Sequence, residues 1–228
     1  MQIGENIERV RETMRLACQR SGRAESDVSL IAVTKYVETA RIAEAVAAGV
    51  TEIGENRAQE FSEKLNFYKQ NQLRAHFIGQ LQTNKVKYIC GNADLIQSVD
   101  RDALLYEIQS KAQKLGIIQP ILIQINIGNE PQKGGILPSE TERFVDEVKS
   151  LSNIKLHGFM CVPPVGDPED TRLYFRKMQC LFEKFKQIDP VLDVLSMGMS
   201  HDYTVAIEEG ATMVRVGTGI FGERNYAV

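Results

Sequence analysis

Apolar positions along this chain follow two alternating rhythms. Short unbroken runs such as "LIAV" at 30–33 and "ILIQI" at 121–125 alternate with longer stretches in which apolar residues return every three or four positions. The unbroken runs read as strands covered on both faces, because neither side-chain direction meets water. They predict strands over 29–35, 52–56, 75–79, 94–99, 121–127, 156–162, 194–200 and 213–217. Helices fit between them. The opening segment carries Ile3, Ile7, Val10, Met14 and Ala17 on one helical face. Residues 101–115 carry Leu104, Leu105, Ile108 and Ala112 behind Asp100 as an N-cap. Ser139 with Glu142 reads as a capping box before Phe144, Val148 and Leu151. Over 170–188 the stripe is Met178, Leu181, Phe182, Phe185 and Ile188.

A recurring punctuation fixes the unit. Gly49, Gly116 and Gly210 each close a helical stretch just before a strand, the position where a left-handed residue ends a helix. The repeat is therefore βα, and eight such units in 228 residues predict one domain, 1–228, of the α/β class: a (β/α)8 TIM barrel, a fold of about 250 residues. An open doubly wound sheet is the runner-up, but no strand is followed by GxGxxG.

Composition narrows the setting. Hydrophobic residues make up 43% of the chain, which supports one sizeable core. The net charge is −3 and charges are interspersed, so no basic stripe points to nucleic acid. The N-terminal stretch is charged from Glu5 and lacks the apolar centre of a signal peptide. The most apolar stretch, "IIQPILIQINIG", is too short and too polar to span a bilayer. A cytoplasmic protein without membrane contact is expected. Cys18, Cys90, Cys161 and Cys180 are widely spaced and read as buried free thiols of a reducing compartment.

Candidate chemistry gathers where the strands end, since ligand sites of such barrels lie at the strand C-termini. The first strand delivers Lys35 there, and a lysine is rarely buried without purpose. The second ends in Asn56 and the third in "HFIGQLQTNK". The seventh and eighth end in "LSMGMSHD" and "MVRVGTGIFG". Loops after the last two strands frequently bind phosphate. Ser196, Ser200 and Thr218 offer hydroxyls there, Gly217 and Gly219 leave amides open, and the helix beginning near His201 could direct its first amides at an anion. A lysine whose pKa is lowered by burial and a cationic neighbour can attack a carbonyl. Arg215 becomes that neighbour if the barrel closes. A carbonyl-reactive lysine beside a phosphate site leaves two ligands open: a phosphosugar, as in class I aldolases, or pyridoxal 5′-phosphate (PLP), an aldehyde and a phosphate in one molecule. An Arg215 facing a PLP ring nitrogen would leave it unprotonated and a poor carbanion stabiliser, because an arginine only donates hydrogen bonds. Arg215 facing the phosphate instead would void that argument. His157 reads as a hydrogen-bonded structural residue, His201 as a cap neighbour or a bystander of the phosphate site, and Lys85 and Lys87 as a solvated face.

The segments "AVTKY", "GENRAQEF", "HFIGQLQTNK", "GFMCVPP" and "LSMGMSHDYTVAIEEGATMVRVGTGIFGER" together resemble the PLP homeostasis protein family. They cover nearly the whole chain, out to Arg224. The resemblance implies a barrel similar to the N-terminal domain of alanine racemases, PLP fold type III. It implies PLP held as a Schiff base on Lys35, with phosphate contacts at Ser200, Gly217 and Thr218, Arg215 by the pyridine ring, and Asn56, His76, Ser196 and Met197 lining the pocket. It implies a carrier or regulator in PLP homeostasis and amino- and keto-acid balance. The partners would be PLP-accepting apoenzymes or a regulatory protein. Racemases of this fold draw a second base from a partner subunit, in a dimer helped by a C-terminal β domain. The chain stops nine residues after Gly219, so that domain, and with it turnover, is expected to be absent and the protein monomeric. The alternative is a PLP-dependent enzyme such as a weak amino-acid racemase.

Overall fold

In the structure, a computed structural model that describes residues 2–223, eight parallel strands follow one another around a closed barrel in chain order. Arg224, the end of the longest motif above, lies outside the described residues. The strands are β1 (Ser29–Val33), β2 (Glu52–Glu55), β3 (Arg74–Phe77), β4 (Leu95–Val99), β5 (Gln119–Ile125), β6 (Ile154–Cys161), β7 (Val194–Ser196) and β8 (Met213–Val216). A leading helix α1 (Ile3–Arg20) precedes them. Helices α2 (Thr39–Ala47), α3 (Ala58–Gln70), α4 (Val86–Ile89), α5 (Asp102–Leu115), α6 (Thr141–Lys149), α7 (Pro168–Ile188), α8 (Tyr203–Glu208) and α9 (Thr218–Phe221) each follow one strand. The barrel is predicted correctly and the open sheet is excluded: β1 pairs with β8 in register Ile31↔Arg215 and Ala32↔Val216.

Seven strands end before their predicted spans do. The chain leaves the ladder to build the loops at the barrel's C-terminal mouth. At β1 the Thr34 amide still donates to Gly54 O, but the Val37 amide already turns back to Thr34 O. Lys35 therefore sits on a turn just past the strand, not within it.

Two apolar cores result. The larger lies between barrel and helices and contains every predicted face residue of α1 and α5. A separate cluster of Ile31, Leu95, Leu122, Met160 and Met213 fills the interior. On α7 the stripe is Phe175, Met178, Phe182 and Phe185, while Ile188 is exposed at the fraying end. Cys180 is also exposed, on the outer face of α7, so only three of the predicted buried thiols are buried. Neither predicted helix cap forms. Arg101 takes the cap position of α5, and the Asp100 carboxylate instead accepts from its guanidinium and from the Gly135 amide. Before α6 a 3-10 turn intervenes, and Glu140 rather than Glu142 accepts an amide, that of Leu137. Gly49, Gly116 and Gly210 end their helices with positive φ as expected.

The register of β6 slips by one residue: Ile121 opposes Leu156, but Leu122 opposes Gly158. His157 is the extra residue of this bulge. Its carbonyl accepts from the Asp193 amide and its Nδ1 lies 3.0 Å from Asp193 Oδ1, a structural role as predicted. Gly158 follows with φ +145°, and a Cβ there would lie 2.0 Å from Val194 O. Strain and overpacking together set the expectation that Gly158→Ala lowers stability by about 2–4 kcal/mol, measured by urea unfolding.

Candidate functional site

At the mouth of the barrel a cavity of about 250 Å³ opens between the ends of β1, β2, β3, β6, β7 and β8. Its lining includes Lys35, Asn56, Ser200, Arg215, Gly217 and Thr218, six of the predicted site residues, beside Val33, Ile78, Val162, Met199 and His201. Barrel closure brings them together, because the loops after β7 and β8 reach the end of β1 only once β8 pairs with β1.

Three predicted lining residues do not border the cavity. Ser196 ends β7 with its side chain turned into the barrel, His76 lies deeper on β3, and Met197 is buried with its amide on Met213 O. Two of them form a polar line below the site. Arg215 Nη1 donates to Ser196 Oγ at 2.6 Å, and Ser196 Oγ donates to Gln97 Oε1 at 2.7 Å. Gln97 Nε2 lies 3.1 Å from His76 Nδ1, and His76 Nε2 lies 3.1 Å from Glu52 Oε2. Gln97 on β4 and Ser196 on β7 are not sheet neighbours, so their bond crosses the lumen. Gln97 is the functional-site residue that motif reasoning misses. Its signal was a polar side chain inside the apolar run "LIQSV", which reads as a strand covered on both faces.

Electrostatics divide the cavity into two ends. Arg215 is 4% exposed, and burial pulls its pKa down, opposed by the Cys161 sulfur and the Asp202 carboxylate nearby. Its described hydrogen bonds go to Ser196 Oγ and Cys161 O, two of the five N–H donors a guanidinium carries. The remainder are available to an acceptor in the cavity that Arg215 lines. At the other end, the amides of Gly217 and Gly219 converge on Ser200 Oγ at 3.0 and 3.3 Å. This nest of donors around one oxygen suits a phosphate oxygen as well as a hydroxyl. Asp202, fully buried, is the N-cap residue of α8; its carboxylate accepts the Met199 amide at 2.6 Å and makes no cap bond to the helix's own amides. His201 Nε2 sits 3.4 Å from Asp202 Oδ2 while His201 borders the cavity, so it is both cap neighbour and wall. At the floor of the polar line, burial pushes the Glu52 carboxyl up, but His76 and Arg74 beside it outweigh burial and leave it below the ordinary range. Lys85 and Lys87 are exposed and lie over the Tyr88 ring, away from the cavity.

The cavity fits a flat, phosphorylated, carbonyl-bearing ligand with a ring acceptor. It has an amine, a donor nest for an anion and a donor-only cation. It also has Asn56 Oδ1, buried and without a hydrogen-bond partner among the described residues, to receive a ligand donor. A phosphosugar would use the amine and the nest, but would offer Arg215 no ring acceptor.

The fold and this mouth define the class of barrel: the alanine racemase N-terminal domain family, whose model matches residues 5–225. An alanine racemase of Clostridium difficile shares the fold at TM-score 0.73 and 14% identity, with this chain covering 99% of itself and 58% of that enzyme. Within the class, the chain belongs to the pyridoxal phosphate homeostasis protein family. The Aquifex aeolicus protein of that name is 46% identical over 99% of this chain and 100% of its own length. PipY of Synechococcus elongatus, solved with PLP bound, is 34% identical at TM-score 0.79, over 92% of this chain and 99% of PipY.

The polar line makes a graded prediction. Ser196→Ala strands a buried guanidinium donor and Gln97 Oε1, and is expected to cost about 2–3 kcal/mol. Ser200→Ala frees two amides into a cavity that water can enter, and should cost less than about 1 kcal/mol. Urea unfolding of both variants side by side checks the order.

Proposed function

We propose that this chain binds PLP at the barrel mouth, holds it covalently through Lys35, and serves PLP homeostasis in the cytoplasm as a monomeric carrier or regulator without turnover. The observation that carries this reading is the pairing of an amine-bearing turn with a buried, donor-only Arg215 across one cavity. The PLP-bound PipY and the names of the full-length relatives support it. Among the described residues, no helix is long and apolar enough to cross a membrane.

Each residue has a distinct task in this reading. The Lys35 amine adds to the aldehyde carbon, and the carbonyl oxygen leaves as water with two protons from the nitrogen. The Gly217 and Gly219 amides, with Ser200 and Thr218, hold the phosphate. Asn56 meets a polar group on the ring. Arg215 donates to the ring nitrogen and, remaining charged itself, keeps a proton off it. Bound PLP supplies an electrophilic carbon and, under an unprotonated nitrogen, only a weak electron sink. That combination retains an aldehyde well and stabilises carbanions poorly. A carrier needs the first property, and a racemase needs the second reversed. The mouth is also open enough to leave water in contact with the site, which weakens the electrostatic help an enzyme draws from a dry pocket.

The test is an absorbance spectrum of the wild type beside Lys35→Ala, each incubated with PLP. The expected result is a visible band in the wild type that borohydride discharges, fixing the label on Lys35, and no such band in the variant. A wild type that stays colourless with PLP overturns the reading. Chiral and mass analysis of amino acids incubated with the loaded protein should show no change. Turnover lost in Lys35→Ala would replace the carrier with an enzyme.

A further inference from the structure

Lys35 lies between two peptide groups that are both gripped by side chains from outside its own strand. On one side, the Thr34 carbonyl accepts from Lys64 Nζ at 2.8 Å. On the other, the Tyr36 amide donates to Glu60 Oε2 at 2.7 Å. The two grips join each other, since Lys64 Nζ also donates to Glu60 Oε2 at 3.2 Å. Both residues stand on α3, one turn apart, which is the spacing that lets them share a face. Beneath them Glu55, fully buried at the end of β2, takes three donors on a single oxygen. These are Lys64 Nζ at 2.8 Å, Thr34 Oγ1 at 2.8 Å and Tyr68 OH at 3.0 Å.

The arrangement costs more than a turn needs. Tyr36 has φ +60°, a left-handed conformation that a bulky residue adopts only under constraint. A buried carboxylate and a nearly buried ammonium, 11% exposed, are expensive unless tightly paired. An ordinary βα turn requires neither. The residue they immobilise is Lys35, which lines the cavity.

We infer that Lys64 and Glu60 are positioning residues for Lys35: they lock the peptides on both sides of it so that its amine is already aimed at the bound aldehyde. Glu55 anchors Lys64 in turn. The inference rests on the proposed role of Lys35. Its physical content is pre-organisation, in which the turn's freedom is removed before the C–N bond forms and the carbonyl oxygen leaves as water.

The experiment separates aiming from holding. Three quantities are measured for the wild type, Lys64→Met, Glu60→Ala and Glu60→Gln. They are the rate of growth of the visible band after mixing with PLP, the affinity for pyridoxine 5′-phosphate, and the midpoint of thermal unfolding. Pyridoxine 5′-phosphate carries the ring and phosphate but no aldehyde, so it reads the cavity without the amine's chemistry. Glu60→Ala leaves the buried Glu55–Lys64 pair intact and guards against a Lys64→Met that fails to fold. The expected result is capture at least tenfold slower in Lys64→Met and Glu60→Ala, with pyridoxine 5′-phosphate affinity within threefold of wild type. Glu60→Gln, which retains an acceptor oxygen for the Tyr36 amide, should recover most of the rate. Capture at the wild-type rate in the folded Glu60→Ala variant overturns the inference. So does a loss of pyridoxine 5′-phosphate affinity as large as the loss in rate, since the network would then shape the whole cavity and not aim the amine. A wild type that never captures PLP defeats the proposed role of Lys35 itself, an outcome visible before any variant is compared.

Discussion

The pairing of β1 with β8 is the contact on which the site depends. Parallel strands have no way to meet their own first member except by completing the circle, and here the register Ile31↔Arg215 completes it. That one ladder sets the guanidinium of Arg215 beside the end of the strand that leads to Lys35. It also brings the loop carrying Gly217 and Gly219 across the top of β1. Residues about 180 positions apart in the chain thus face a common cavity, each arriving on a strand or on the short segment directly after one. Rigid mounting matters because covalent capture depends on the approach of two atoms.

Placing a cation in the wall of a barrel has consequences below it. A buried guanidinium must find acceptors for its donors or destabilise the fold. Ser196 and the Cys161 carbonyl meet two of those needs. Ser196 then needs an acceptor of its own, which Gln97 provides, and Gln97 in turn needs His76. The polar line through the lumen follows from satisfying each group in turn as far as His76 Nδ1; beyond it His76 Nε2 faces Glu52 Oε2 near the floor of the barrel, where the exposed Arg74 pairs with Glu52. The small apolar cluster of Ile31, Leu95, Leu122, Met160 and Met213 fills what the line leaves. The interior of this barrel is therefore part hydrocarbon and part hydrogen-bond chain, the latter running from Arg215 at the mouth towards Glu52 at the floor.

In the proposed reading, Arg215 carries the difference between holding PLP and catalysing with it. A catalyst that draws electrons into a pyridine ring benefits from an anionic partner for the ring nitrogen, whereas a donor-only arginine works against protonation there. The chain is 46% identical to a pyridoxal phosphate homeostasis protein over that protein's full length, and with the alanine racemase of Clostridium difficile it shares the fold.

The sequence by itself determined the alternation of elements, the closed barrel, the helix stops at Gly49, Gly116 and Gly210, and the gathering of Lys35, Asn56, Ser200, Arg215, Gly217 and Thr218 at one end. Each of these follows from local periodicity, turn chemistry, or the rule that places barrel ligands at strand C-termini, and the family motifs narrowed the ligand. Tertiary structure decided the rest. His76, Ser196 and Met197 share motifs with the lining residues, yet a strand alternates its side chains, and one step along β7 or β3 moves a residue from the rim into the lumen or the outer core. Gln97 sits in no family motif quoted for the chain, because its role is a bond across the barrel to β7. Glu60 falls inside the motif "GENRAQEF" and Lys64 three residues beyond it, yet by residue type the two are an acid and a base four positions apart on a helix. What they grip is the backbone of Thr34 and Tyr36, and a backbone partner leaves no trace in the identity of the residue that offers it.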